Sequence, residues 1–259
     1  MMSRPDPITA PTSRSVPGPK SSCGTATATS AAPRMDSAET SDRSLGVRAI
    51  KVRDLNLLPM TMKQYDEQYF DRWYRREGFG SRSRLRRKVH FALSASEYLL
   101  ERPVRNVLDI GCGEGPWRAA LRRQRPRIDY VGVDPSEYVV ERFGRSRNIR
   151  LGTFGGLDPL DLPGPFDLVV CADVVLYVTD RDLRHGLESI AELLRGVAYI
   201  EIFTANDSIE GDLSLFHRRR PSTYDRAIES AGLTRVGPHL YVGADVFSTL
   251  ADFEGRWRG

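Results

Sequence analysis

From residue 65 onward the hydrophobic positions follow two alternating periods. Tyr65, Tyr69, Phe70, Trp73 and Tyr74 recur three and four apart, the spacing of one helical face. A second helical run over 81–102 turns Leu85, Val89, Phe91, Ala92, Ala95, Tyr98 and Leu99 inward, so a helical cap is expected over about 63–102. The period then changes. Apolar runs at 107–110, 130–133, 149–154, 166–175 and 197–203 have the length and composition of strands, and helical stretches near 116–123, 136–143 and 181–194 separate them. A helix over 224–232 and a sixth strand over 233–242 complete a core of about 105–243, and 244–257 reads as a closing helix rather than a seventh strand. Alternation of this kind demands a doubly wound, mostly parallel α/β sheet of six to seven strands, with helices on both faces.

The first 48 residues break the pattern. They are rich in Ser, Thr, Pro and Ala, lack any period, and read as a disordered extension ahead of one domain over 49–259, with Met60 or Met62 as plausible native starts. The 259 residues are 40% hydrophobic, enough for one sizeable core, and no apolar stretch is long enough to span a bilayer. A net charge of +4, carried mostly by arginine, is too modest to single out a polyanionic partner. Cys23, Cys112 and Cys171 are few, far apart and without zinc spacing, which suits a reducing cytoplasm and argues against a metal site.

Chemistry enters where the strand Val107-Leu108-Asp109-Ile110 opens onto Gly111-Cys112-Gly113-Glu114-Gly115, and where the next strand ends on Asp134. Glycines let a backbone approach a ligand closely, and a carboxylate ending the neighbouring strand can accept from two ribose hydroxyls. The order is G-x-G-x-G, not the dinucleotide G-x-G-x-x-G, and Pro116 takes the place of the last glycine while suiting the first turn of a helix. Asp109 adds negative charge where a pyrophosphate would be repelled and a cationic ligand tolerated.

On these residues the chain resembles the class I S-adenosylmethionine-dependent methyltransferases, whose first motif reads like VLDIGCGEG, over roughly residues 64 to 235. The resemblance implies a Rossmann-like fold with S-adenosyl-L-methionine as cofactor. It implies that Asp109 helps hold the methionine end, that Gly111, Cys112, Gly113 and Gly115 form the floor, and that Asp134 takes the ribose hydroxyls. Pro135 and Phe154 would flank the adenine. Cys171, Ala172 and Asp173 would line the site beside the transferred methyl, and Tyr65 on the aromatic helix would act as a lid. Thr153 stands where many members carry an aspartate for the adenine amino group, and Leu176 where many carry histidine or glutamate, leaving Tyr177 as the nearest polar side chain.

The acceptor is less legible. Methyl transfer from a sulfonium is an in-line displacement in which positioning dominates, so a recognisable catalytic set need not exist. Candidates after the fourth and fifth strands are Tyr177, Glu201 and His217, with His239 undecided and Arg218 to Arg220 able to attract an acidic group. Glu201, set in an apolar run, reads as paired or as facing substrate. Cys171 lacks the neighbours of a cytosine-methylating nucleophile and reads as a small buried side chain. The arginines and Lys88 of the second helix read as a solvated face. The favoured reading is a small-molecule O- or N-methyltransferase. A nucleic-acid or protein methyltransferase and a non-catalytic S-adenosylmethionine-binding protein stand as alternatives.

Overall fold

A computed structural model of the chain describes residues 65–76, 81–208 and 212–254; the extension over 1–48 and the two candidate starts lie outside them. Seven strands form one sheet in the order β3-β2-β1-β4-β5-β7-β6. They are β1 Asn106–Ile110, β2 Asp129–Asp134, β3 Ile149–Leu151, β4 Phe166–Cys171, β5 Leu194–Ile200, β6 Thr234–Gly237 and β7 Leu240–Val242. The first five run parallel, and β7 lies antiparallel between β5 and β6. The expected single strand over 233–242 is therefore a hairpin. Pro238 has no N–H to give a ladder and His239 has a φ of +61°, so the chain reverses there and the seventh strand follows at once.

The helices are α1 Glu67–Phe70, α2 Arg82–Leu100, α3 Pro116–Gln124, α4 Glu137–Arg147, α5 Asp180–Leu193, α6 Pro221–Ser230 and α7 Ala244–Glu254, and a π-helical turn Asp71–Arg76 extends α1. Side-chain oxygens that accept from the first free amides set several starts. Ser81 accepts from the Arg84 amide, Ser136 from Val139 and Thr179 from Asp182, while Gly115 hands the chain to Pro116.

Strand alternation sorts the core onto two faces. Leu108, Ile110, Val169 and Cys171 point towards α5 and α6, where Leu183, Leu187, Ile190, Tyr224 and Ile228 cover them. Val107, Leu168, Val170, Val197 and Tyr199 point the other way, against Val89, Ala92 and Leu93 of α2 and Trp117 and Leu121 of α3. Two expected inward residues of α2 face solvent instead: Phe91 and Tyr98 are 41% and 77% exposed. Phe91 follows Val89 by two positions and Tyr98 follows Ser96 by two, so each stands about 200° around the helix from that member of the buried stripe.

The opposite end of the sheet is fastened by one carboxylate. Asp167, fully buried, receives both guanidinium nitrogens of Arg102 at 2.7 and 2.9 Å, the Arg105 amide at 2.8 Å and Arg195 at 2.9 Å. Burial pushes its pKa up, but these contacts together outweigh it and hold the value down at about 2.

Candidate functional site

Strand order reverses between β1 and β4, since the chain lays β2 and β3 on one side of β1 and then crosses to the other. Ligands gather at the carboxyl ends flanking such a switch point. There the turn after β1 holds Gly111, Gly113 and Gly115 at φ of +69°, +51° and +78°, conformations that side chains resist. A Cβ on Gly111 would lie 2.3 Å from Val174, and one on Gly113 would lie 3.2 Å from the Phe70 ring. The Gly111 and Cys112 amides donate to the Val133 carbonyl at 2.7 and 3.1 Å, which locks the turn to the end of β2.

A cavity of about 490 Å³ opens on the α2 and α3 side of this turn. Asp109, Gly111, Cys112, Gly113 and Gly115 line it, with Ala172 and Asp173 after β4. Asp109 shares the parity of Val107 along β1, so its carboxylate points to the same side, where it accepts from the Tyr130 hydroxyl at 2.7 Å. Burial raises its pKa to about 7, against the lowering effect of that hydrogen bond, and Asp134 adds to the rise. Asp134, 5% exposed, accepts from the Gly113 amide at 2.7 Å with one oxygen and from the Ser136 amide at 3.0 Å with the other. Desolvation raises its pKa despite these two bonds. Each oxygen keeps a lone pair for one further donor.

The N-terminal aromatics close over the turn. Phe70 is buried with Cys112, Val139 and Ile149, Arg75 reaches Glu114 at 2.6 Å, and Arg142 pairs with Glu67 at 2.9 Å. The Ser136 hydroxyl donates to the Tyr65 carbonyl, and the Tyr65 ring stands 5.1 Å from Tyr69. The Tyr65 pKa is pushed up to about 12, by burial first and then by Asp134 and Asp212. Tyr65 thus lies beside Asp134, whereas Phe70, Tyr74 and Arg75 reach the cavity itself.

Several sequence-derived candidates take other places. Phe154 is buried in the core with its ring against Gly186 of α5, because β3 stops at Leu151 and the chain turns inward; it does not line the cavity. Cys171 falls on the α5 face of β4 and is wholly buried, so it is a core side chain and not part of the wall. Pro135 is exposed at the start of the turn into α4. Glu201 comes just after β5, not within it, and on the parity of Tyr199 it meets Lys88 of α2 at 2.6 Å. The Tyr177 hydroxyl donates to the Asp212 carbonyl at 2.7 Å. His217 is exposed and sits near Asp180, away from the cavity, and its amide donates to the Leu176 carbonyl at 2.9 Å. Arg219, far from being free to meet an acceptor, is 6% exposed. It donates to Asp180 at 2.6 Å and to the Val175 and Val178 carbonyls at 3.1 and 2.5 Å.

Sequence reading missed Arg82, Arg84, Leu85, Lys88 and Trp117 as cavity wall. Arg84 and Lys88 are four apart on α2, so they share a side, and only the sheet behind them distinguishes that side from a solvated one.

The donor set fits the cofactor that the sequence implies. Three left-handed glycines leave room where side chains would stand, and two buried carboxylates at the turn suit an ammonium and hydroxyl groups, whereas they would repel a diphosphate. No helix among the described residues is long and apolar enough to cross a membrane.

Comparison with known proteins agrees with this geometry. The pattern that defines the methyltransferase-domain family matches residues 72–236. A trans-aconitate 2-methyltransferase of Deinococcus radiodurans is 29% identical over 142 residues, 53% of this chain and 51% of that protein. An uncharacterised protein of Rickettsia prowazekii is 31% identical over 106 residues, 38% of this chain and 42% of that one. The chain thus spans about half or less of the length of these relatives. Among solved structures, DesVI of Streptomyces venezuelae superposes with a TM-score of 0.50 at 17% identity, over 68% of this chain and 98% of that one. A SAM-dependent methyltransferase of Archaeoglobus fulgidus does so with a TM-score of 0.50 at 19% identity, over 64% and 73%. Both share the fold. With nearly two thirds of its length matched by one family pattern, and with the strand order and glycine turn described above, the chain belongs to the methyltransferase-domain family and carries a class I S-adenosylmethionine-dependent methyltransferase domain.

Proposed function

We propose that the protein moves a methyl group from S-adenosyl-L-methionine to an oxygen or nitrogen of a small-molecule acceptor, in the cytoplasm. The observation that carries the reading is a glycine-floored cavity of about 490 Å³ with the buried carboxylate Asp109 in its wall, and Asp134, behind the wall, holding the Gly113 amide of its floor. A volume of this size suits a cofactor end and a compact acceptor rather than a nucleic-acid strand. The Deinococcus relative, named for trans-aconitate, supports a small acceptor.

In this reading Asp109 receives the ammonium of the cofactor, Gly111, Gly113 and Gly115 give its backbone a close floor, and Asp134 takes the ribose hydroxyls. The bound sulfonium supplies an electrophilic methyl carbon. The chain's own residues then orient the acceptor and exclude water, through the Phe70 and Tyr74 cap on one side and the loop after β4 on the other.

Calorimetric titration of the full chain with S-adenosylmethionine, with NADH in parallel, tests this. Micromolar binding of the first alone is expected. Binding of NADH alone would overturn the cofactor, and a salt-dependent shift of DNA or RNA in a gel would overturn the acceptor class.

A further inference from the structure

Among the described residues five carboxylates surround the turn and the ends of β4 and β5, and four of them are engaged. Asp109 accepts from Tyr130, Asp134 from two backbone amides, Glu114 from Arg75, and Glu201 pairs with Lys88. Asp173 accepts no hydrogen bond from any described residue. It nevertheless lines the cavity, two residues beyond the end of β4 and across from Asp109, whose strand is paired with β4.

Its backbone is held in an unusual state. The φ of Asp173 is +60°, a left-handed conformation that Asp visits at some cost and that recurs at functional sites. The neighbouring Ala172 packs on the α2 face, so the left-handed residue lifts the next side chain into the open space above the glycine turn. Charged and titratable groups face it from every side: Lys88 and Arg84 from α2, Glu201 and Tyr199 from β5 and its end, His239 from the β6–β7 turn, Tyr74 from the cap and Tyr177 from its own loop. Asp173 is itself exposed at the cavity mouth; the atoms crowded about its carboxyl still raise its pKa, Glu201 adds to the rise, and Lys88, Arg84 and His239 oppose it. A base of raised pKa is better matched to removing a proton near neutral pH.

We propose that Asp173 is the acceptor-facing group of this site: its carboxylate accepts a hydrogen bond from the N–H or O–H to be methylated and takes up that proton. The inference rests on the methyltransferase reading above. When the acceptor's lone pair forms the bond to the methyl carbon, the carbon–sulfur bond breaks with its electron pair left on sulfur, and the acceptor's proton ends on Asp173. The acceptor class is therefore a neutral nucleophile with a transferable proton, an amine or a hydroxyl compound.

Sinefungin, which carries a primary amine where the cofactor carries its sulfonium methyl, places a hydrogen-bond donor at that point without any acceptor. Its affinity for the full chain is compared with that of S-adenosylhomocysteine, which has nothing there, in the wild type and in Asp173→Asn. At pH 8 sinefungin is expected to bind the wild type about tenfold or more tighter than S-adenosylhomocysteine, as a charge-assisted hydrogen bond requires. Asp173→Asn should reduce that advantage to about twofold while S-adenosylhomocysteine binds within about threefold of the wild type. The wild-type advantage should also shrink as the pH is lowered through the titration of Asp173. An advantage retained in Asp173→Asn, absent from the wild type, or lost together with S-adenosylhomocysteine binding would overturn the assignment. Failure of the wild type to bind S-adenosylhomocysteine at all would instead overturn the methyltransferase reading, and this inference with it.

Discussion

Lys88 and Glu201 lie 2.6 Å apart, 113 residues distant in sequence, and join the middle of α2 to the end of β5 beside the cavity. The Glu201 side chain is 7% exposed and that of Lys88 25%, so the pair is largely withdrawn from water. Tyr199 supplies a further, longer contact at 3.5 Å. Removing one partner leaves a charge with nothing to balance its lost hydration.

Lys88→Met should therefore cost about 3 kcal/mol of folding free energy, whereas the double variant Lys88→Met with Glu201→Gln should recover most of that loss. Urea denaturation of the wild type, both single variants and the double variant gives the coupling directly. Equal costs for the single and double variants would show that the pair contributes packing alone.

Asp109 gives the site a pH dependence whose sign is fixed by burial. Its pKa rises from 3.8 to about 7 on folding, so the folded, unliganded protein holds this proton more tightly than the unfolded chain. The stability cost of ionising it begins above about pH 4, grows to pH 7 and is then constant, at most about 4 kcal/mol. Asp109→Asn should thus raise the melting temperature of the unliganded protein at pH 8 and leave it little changed near pH 4. If Asp109 receives the cofactor's ammonium as proposed, the same variant should bind S-adenosylmethionine far more weakly. Thermal melts at the two pH values, with and without ligand, separate the effects.

Asp134 has a double duty, since its oxygens hold the Gly113 and Ser136 amides as well as offering two free lone pairs. Asp134→Ala should lower S-adenosylmethionine affinity by more than about tenfold. An unchanged dissociation constant in a calorimetric titration would remove Asp134 from the ribose.

Asp167 acts at the far end of the sheet and should affect stability without affecting ligand affinity. Its pKa falls from 3.8 to about 2 in the folded protein, so the carboxylate stabilises the fold above pH 4 and loses that contribution as the pH drops towards 2. Asp167→Asn should cost about 2 kcal/mol at pH 7 and almost nothing at pH 2. Denaturation at both values checks the sign.

How much of this could be read in the chain differs from one element to the next. The parallel strands and the glycine turn were legible because they are continuous apolar runs that end on residues of special backbone freedom, and both are local properties. The β6–β7 hairpin was not, since two strands of four and three residues carry too little pattern and Pro238 was the one local sign of reversal. In the site, Asp109 and Asp173 were singled out by their position at strand ends. Phe154 was misplaced because a residue's side of the sheet follows from where its strand stops, a matter of one or two residues; Cys171 is the small buried side chain its apolar flanks implied, though it is not in the cavity wall. Arg84 and Lys88 looked like solvated charge, and only the fold sets them beside a cavity. Arg219 was read as a free cation on an insertion, yet three oxygens from a segment some forty residues earlier had claimed it.

That hairpin carries a consequence for how the domain can vary. Because β7 runs against its neighbours, the bend at Pro238 and His239 falls on the same rim as the ends of the parallel strands, where the His239 ring stands 5.7 Å from Tyr199 and its carbonyl receives the Ile200 amide at 2.9 Å. A two-residue corner near the end of the chain thus works as a tuning peg. On the reading proposed for Asp173, exchanging the His239 side chain changes what faces that carboxylate from the rim, while the bond its carbonyl makes to Ile200 is a backbone one.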